Sequence, residues 1–203
     1  MGDPRRLLVV VSAPSGAGKT SLCAEAVRRL PGLVHSISYT TRAPRSHEVA
    51  GRDYHFIDEG IFQQMVRSGD FSEWATVHGH LYGTSRQLLE AHFAAGQDVI
   101  LDIDTQGAAQ LRQAYPEGVF IFILPTSWEQ LEQRLRARKS ESPEEIERRL
   151  KKAQEEIKCF HEYDYLVIND MFERAATDLC SIIVGERCRG FRVSPRVRDE
   201  LGI

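Results

Sequence analysis

Ala13-Pro14-Ser15-Gly16-Ala17-Gly18-Lys19-Thr20 lies between an apolar run, Leu7–Ser12, and a stretch of helical periodicity that begins at Lys19. Glycines at 16 and 18 allow backbone N–H groups to turn inward around phosphate oxygens, and a helix N-terminus adds the positive end of its dipole. Lys19 is then placed to reach the outer phosphates of a nucleoside triphosphate, and the Thr20 hydroxyl to ligate Mg²⁺. A strand before and a helix after are the context such a phosphate-binding loop requires. Ala13, Pro14, Ser15, Gly16, Ala17, Gly18, Lys19, Thr20 and Ser21 are therefore the candidate phosphate-binding residues. One position departs from the strict pattern, Ala13 standing where a first glycine is usual.

The same rhythm extends along the chain. Asp98–Ile103, Val119–Leu124 and Tyr165–Ile168 are dense in Val, Ile, Leu or Phe, as strands buried on both faces should be. Helical patterns follow at about Lys19–Leu30, Gly107–Ala114, Ser127–Arg138 and Met171–Cys188. Alternating strands and helices predict an α/β fold of the P-loop NTPase class with a mostly parallel sheet. Two regions interrupt it. From Ser36 to Tyr82 the pattern alternates, as in Phe71-Ser72-Glu73-Trp74-Ala75-Thr76-Val77, which predicts an antiparallel piece with one solvated face. From Ser127 to Phe160 the chain is charged and helical, with a polar break at Lys139–Ser142. Ser142-Pro143-Glu144-Glu145 reads as a capped helix start, followed by an apolar stripe of Ile146, Leu150, Ala153 and Ile157.

Composition excludes several classes. At 203 residues, 42% hydrophobic and 27% charged, the chain can bury a core of ordinary soluble type. Its 26 Lys+Arg against 29 Asp+Glu leave a net charge of −3, which argues against nucleic acid as the partner. Leu7–Val11 is too short to span a membrane or to serve as a secretory signal core. Cys23, Cys159, Cys180 and Cys188 show no metal-ligand spacing and read as reduced thiols of a cytoplasmic protein. The sequence leaves a homo-oligomer open.

The chemistry narrows further on two segments. Asp104-Thr105-Gln106-Gly107 matches the D-x-x-G of GTPase switches, but the Asn-Lys-x-Asp segment of guanine recognition is missing, the only asparagine being Asn169 before Asp170. Ser38-Tyr39-Thr40-Thr41-Arg42-Ala43-Pro44-Arg45, followed by Glu48, Gly51 and Tyr54, sets arginine forks beside hydroxyls. That combination suits a phosphate monoester, the alternative being a solvated basic loop. Asp102 ends the run Val99-Ile100-Leu101 and is the candidate for ordering Mg²⁺ through water, with helix capping the alternative for it and for Asp104.

S-x-T-T-R-x-P-R at 38–45, G-x-D-Y-x-F at 51–56, F-x-E-W-A at 71–75, Y-G-T-S at 82–85 and L-D-I-D-x-Q-G at 101–107 together resemble the guanylate kinases, in order and at matching separations. The likeness runs from the phosphate loop to Asn169-Asp170. It implies phosphoryl transfer from ATP to GMP or dGMP, with Mg²⁺ as cofactor. It implies that Ser38, Arg42, Arg45, Tyr54 and Tyr82 hold the GMP phosphate, and that Glu73, Thr84 and Asp104 surround the guanine. On alternation alone an outward Glu73 is the plainer reading. The resemblance also implies a lid at 127–160 whose Arg138 and Arg149 close over the ATP phosphates, and an ATP-side contact at Asn169. Lys19, Arg42, Arg138 and Arg149 are the catalytic candidates. The core is expected at 1–35, 84–126 and 161–203, and the GMP-binding insertion at 36–83. Lys139, Met171 and Leu81 depart from the family pattern, and His78-x-His80 reads as a loop rather than a metal pair. Two alternatives keep the fold, a phosphopeptide-binding module without catalysis and a kinase of a phosphorylated sugar.

Overall fold

The computed structural model describes residues 6–46, 48–77, 79–136 and 143–202. In chain order the first half forms β1 (Leu8–Ser12), α1 (Lys19–Arg29), β2 (Leu33–His35), β3 (Tyr39–Thr40), β4 (His55–Phe56), α2 (Glu59–Ser68), β5 (Phe71–Val77), β6 (His80–Ser85) and α3 (Arg86–Ala94). The second half forms β7 (Asp98–Asp102), α4 (Thr105–Ala114), β8 (Val119–Leu124), α5 (Trp128–Arg136), α6 (Pro143–Lys158), β9 (Tyr165–Ile168), α7 (Phe172–Arg187) and α8 (Gly190–Leu201).

The apolar runs pair into one parallel sheet in the order β2-β7-β1-β8-β9. Successive side chains of a strand point to opposite faces, so each run serves two layers. Val9, Val11, Ile121 and Ile123 meet Leu22 and Ala26 of α1 and Ala176 and Leu179 of α7. Leu8, Val10, Val99 and Leu101 meet Leu89 of α3 and Ala108 and Leu111 of α4 on the other face. Burial on both sides is why β1, β7 and β8 read as continuous rather than alternating. The edge strand β9 departs from that expectation: it buries only Val167 and leaves Tyr165, Leu166 and Ile168 exposed, because no strand flanks it on its outer side. The central position of β1 delivers the phosphate loop at the carboxyl edge of the sheet, beside the end of β7, where α/β folds bind ligands.

A second sheet, in the order β4-β3-β6-β5, carries the alternating segment. It is mixed rather than wholly antiparallel, because β3 and β4 run parallel. Helix α2 also interrupts the stretch that reads as strand. Asp58 caps it by accepting from the Ile61 N–H at 2.9 Å, and Gly69 ends it at φ +71°. In β5, Phe71, Glu73 and Ala75 face inward in one phase. The edge is tied to the core by Gln110 of α4, which accepts from the Trp74 N–H and donates to the Trp74 carbonyl.

Helices α5 and α6 pack on each other through Leu131, Leu135, Ile146, Leu150 and Ala153, a small core separate from the two sheet faces. The Ser142 cap, Arg138, Lys139 and His78 lie outside the described residues. The arginine-bearing tail forms α8, and the buried Arg192 anchors it by donating to the carbonyls of Arg6 and Glu117. Among the described residues no helix is long and apolar enough to cross a membrane.

Candidate active site

The phosphate loop is held in shape by its own glycines and by contacts from α6 and from behind. Gly16 and Gly18 both sit at φ +93°, a left-handed conformation that side chains disfavour. Their neighbours exclude a Cβ as well, since one would lie 2.9 Å from Leu135 Cδ2 at Gly16 and 2.6 Å from Asn169 Nδ2 at Gly18. Ala13 meets no such demand and buries its methyl in the core, so the missing first glycine costs the loop nothing visible. Behind the loop, Asn169 donates from Nδ2 to the Ala17 carbonyl at 2.7 Å. Arg134 in turn donates to the Asn169 carbonyl at 3.1 Å. From α6, Arg149 donates to Ser15 Oγ through Nε and Nη2 at 3.0 and 2.7 Å, and Glu156 accepts from the Ser15 N–H at 3.1 Å. Burial pushes the Glu156 carboxyl above the ordinary glutamate value.

At the ends of β1 and β7 three groups converge. Thr20 donates to Asp102 Oδ2 at 2.7 Å, His35 Nε2 lies 3.0 Å from Asp102 Oδ1, and Lys19 Nζ donates to the Ile103 carbonyl at 2.9 Å. Burial alone would raise the Asp102 pKa, but the Lys19 charge and the hydrogen bonds from His35 and Thr20 outweigh it and hold the carboxyl at about 2. A carboxylate ionised at any working pH beside a hydroxyl is a hard-oxygen donor set of the kind Mg²⁺ takes. Asp104 instead caps α4, accepting from the Gly107 N–H at 2.9 Å. The capping alternative thus describes Asp104 but not Asp102.

Across the cleft, the inserted sheet presents side chains. Lys19, Ser38, Arg42, Arg45, Tyr54, Glu73, Tyr82, Asp102 and Asp104 line one cleft. Arg42 donates from Nε to Tyr82 Oη at 3.0 Å and from Nη2 to Glu48 Oε1 at 2.7 Å, and it lies over the Tyr54 ring. Glu73 is 4% exposed and accepts from Thr84 Oγ1 at 2.5 Å, the two residues facing each other across the β5–β6 pair. A Cβ at Gly107 would collide with Glu73 Oε2, so the glycine lets α4 lie against that carboxylate without displacing it. Burial pushes Glu73 up to about 7, partly offset by the Thr84 hydrogen bond. Thr84 does not itself line the cleft; it holds Glu73.

A second cleft is lined by residues 13–21 together with Asp104, Arg149 and Glu156. The two clefts share Lys19, Val77 and Asp104. Asn169 lines neither and is buried behind the loop, while Met171 is exposed at the start of α7. Leu81 pairs with Thr41 through its backbone. Residue-by-residue reading passed over His35, Glu156 and the Ile103 carbonyl. No local motif marks them, because their partners lie 67 to 141 residues away.

A family model described as guanylate kinase matches residues 5–186. A guanylate kinase of Geobacter metallireducens is 52% identical over 193 residues, covering 95% of both chains. One of Geobacter sulfurreducens is 50% identical over the same length and coverage. The crystal structure of guanylate kinase from Anaplasma phagocytophilum superposes with a TM-score of 0.77 at 31% identity, covering 98% of this chain and 96% of that one. With a phosphate loop and an arginine-lined cleft meeting at one lysine, and with these relatives along nearly its whole length, the chain belongs to the guanylate kinase family.

Proposed function

We propose that the chain transfers the γ-phosphoryl group of ATP to GMP or dGMP, giving ADP and GDP. The observation that carries this is the meeting of the loop cleft and the Arg42–Glu73 cleft at Lys19. Two phosphate sites joined at one cation suit a transfer between two anions better than hydrolysis or simple binding.

The acceptor needs no general base. A phosphate monoester has a second pKa near 6 and is largely a dianion at pH 7, so the obstacle is repulsion rather than deprotonation. Catalysis then rests on positioning and on cations around the transferred group. Lys19, Arg42 and Arg149 are the described candidates, with Arg138 as a fourth beyond the described residues. The loop residues 13–21 hold the ATP phosphates, with Asn169 supporting them from behind. Ser38, Arg42, Arg45, Tyr54 and Tyr82 hold the GMP phosphate. Burial pushes the Tyr54 hydroxyl up, so it stays a neutral donor there. Glu73 reads the base, supported by Thr84 and Asp104. Guanine presents N1–H and N2–H donors side by side, and one carboxylate accepts both. Adenine, with an acceptor at N1 and no N2 amine, would leave that buried carboxylate with Thr84 as its side-chain partner and none from the base, which discriminates by about 10⁴ or more.

Thr20 and Asp102 would hold Mg²⁺, largely through water. When bound, the ion neutralises charge on the phosphate oxygens. The three-part division, with core at 1–35, 84–126 and 161–203, insertion at 36–83 and lid at 127–160, belongs to the same reading. So does a cytoplasmic location, which the four free cysteines favour, with no nucleic-acid or membrane partner and a homo-oligomer left open.

Coupled measurement of ADP formation from ATP with GMP, AMP, CMP or UMP, with and without Mg²⁺, tests the proposal. The expected result is turnover with GMP and magnesium only. Equal turnover with AMP, or none with any acceptor, would sink it.

A further inference from the structure

We propose that Glu48 is a positioning residue for Arg42, fixing which edge of its guanidinium meets the acceptor phosphate. The proposal rests on the reading of the Arg42 cleft as the GMP phosphate site. Glu48 lies in the loop between β3 and β4, and its side chain is only 7% exposed. One carboxylate oxygen accepts from Arg42 Nη2 at 2.7 Å and the other from the Arg45 backbone N–H at 2.8 Å. A single carboxylate therefore ties together the two arginines three residues apart. The Arg42 hydrogen bond, set against an opposing contribution from burial, keeps Glu48 below the ordinary glutamate value, so the pair is ionic.

The geometry of Arg42 decides what that pairing does. Its Nε donates to Tyr82 Oη at 3.0 Å, and its Nη1 to the Ala43 carbonyl at 2.8 Å. The rings of Tyr54 and Phe56 lie 5.4 and 5.9 Å from its central carbon, which fixes the plane of the group. A guanidinium carries five N–H donors, one on Nε and two on each terminal nitrogen. Three are engaged, on Nε, Nη1 and Nη2, so one remains on each terminal nitrogen. Two such donors are what a fork-like contact with two oxygens of a phosphate requires. Glu48 takes one hydrogen of Nη2 and leaves the other.

A carboxylate beside an anion site could instead be a stand-in that phosphate must displace. The two roles predict opposite signs. A stand-in, once removed, would let GMP bind more tightly, whereas an orienting group, once removed, frees the guanidinium to rotate and weakens GMP binding. The three-point anchoring of Arg42 and the unengaged pair of donors favour the second.

The test uses the full chain with Glu48→Ala, Glu48→Gln, Arg42→Ala and the Glu48→Ala/Arg42→Ala double variant. Steady-state kinetics give KM for GMP and for ATP separately, and calorimetric titration gives GMP affinity without turnover. Loss of orientation should raise the GMP KM and Kd about ten-fold in Glu48→Ala, with the ATP KM unchanged within about two-fold. Glu48→Gln keeps one acceptor for Arg42 but meets the Arg45 N–H poorly, so it should fall between wild type and Glu48→Ala. In the Arg42→Ala background, Glu48→Ala should cost clearly less than it does in the wild type, the remainder being its tie to the Arg45 N–H, the sign of a coupled pair. Unchanged or tighter GMP binding in Glu48→Ala, or full additivity in the double variant, would overturn the proposal. Unchanged GMP binding in Arg42→Ala would overturn it together with the site reading beneath it. Should Glu48→Ala melt too low to assay, Glu48→Gln alone carries the same sign test.

Discussion

The phosphate loop and the inserted sheet handle an anion in opposite ways. Around residues 13–20 the site is a run of consecutive residues on a left-handed glycine frame, with Lys19 and Thr20 at its end and distant side chains holding the frame. Asn169 and Arg134 brace it from behind, while Arg149 and Glu156 grip Ser15. In the inserted sheet the binding groups are themselves side chains, delivered from Ser38 ahead of β3, from β5 and β6 and from the loop at 41–54, and they hold one another through pairs such as Arg42–Glu48 and Glu73–Thr84. A backbone site is built from consecutive residues and a side-chain site from distant ones. The first should fail when its cation or frame is lost, the second when one member of a pair is lost.

The largest effect is expected at the lysine the two regions share. Lys19→Ala removes the cation between both clefts and should lower kcat by about a thousand-fold. Lys19 makes one hydrogen bond from its ammonium to the Ile103 carbonyl, so the melting temperature should stay within a few degrees. Coupled kinetics and thermal melts on the same preparation check both halves. A variant that retains most of its turnover would remove the lysine from the centre of the site.

The next effect separates the regions. Glu73→Gln replaces an acceptor facing two guanine donors with a group that opposes one of them. It should lower kcat/KM for GMP by about a hundred-fold and leave ATP affinity unchanged. An equal loss on both substrates would mean that Glu73 supports the whole cleft rather than the base.

The same contrast explains what was legible in the sequence. The loop, its strand and its helix were readable because Gly16, Gly18, Lys19 and Thr20 are neighbours in the chain, and because strands buried on both faces announce themselves as apolar runs. Glu73 was harder. Alternation in β5 is compatible with either phase, and only the inward Phe71 and Ala75 fix its direction, an orientation set by α4 packing over that face. Helix α2 went unread although Ile61, Phe62, Met65 and Val66 recur at helical spacing, because the alternating segment at Phe71–Val77 drew the whole stretch into one strand reading. His35 and Glu156 carried no signal, since each acts through a partner far along the chain.

A smaller effect is expected from the frame alone. Asn169→Ala removes the 2.7 Å hydrogen bond to the Ala17 carbonyl while leaving every cleft-lining side chain in place. Loosening the loop should lower kcat about ten-fold with the GMP KM unchanged. A rise in GMP KM instead would show that the two regions are coupled through the core.

The smallest expected effect concerns stability, and it follows from the cost of keeping Glu73 inside. Burial raises its pKa from 4.5 to about 7, so the folded chain keeps this proton where the unfolded chain has lost it. Between those values the native state binds more protons, and stability must fall as pH rises through the window. At pH 8 the full penalty is present. Below about pH 4.5 both states are protonated and it vanishes. Glutamine cannot ionise, yet its amide oxygen can still accept from Thr84. Glu73→Gln should therefore melt about 5 °C above wild type at pH 8 without nucleotide, with the gap closing as pH falls towards 4.5. GMP should reverse the order, because its paired donors favour the ionised carboxylate and stabilise only the wild-type chain appreciably. A residue that costs stability in the free protein and returns it on binding is the signature of a specificity group. A gap of constant size across pH, or one that GMP leaves untouched, would reduce Glu73 to a packing residue.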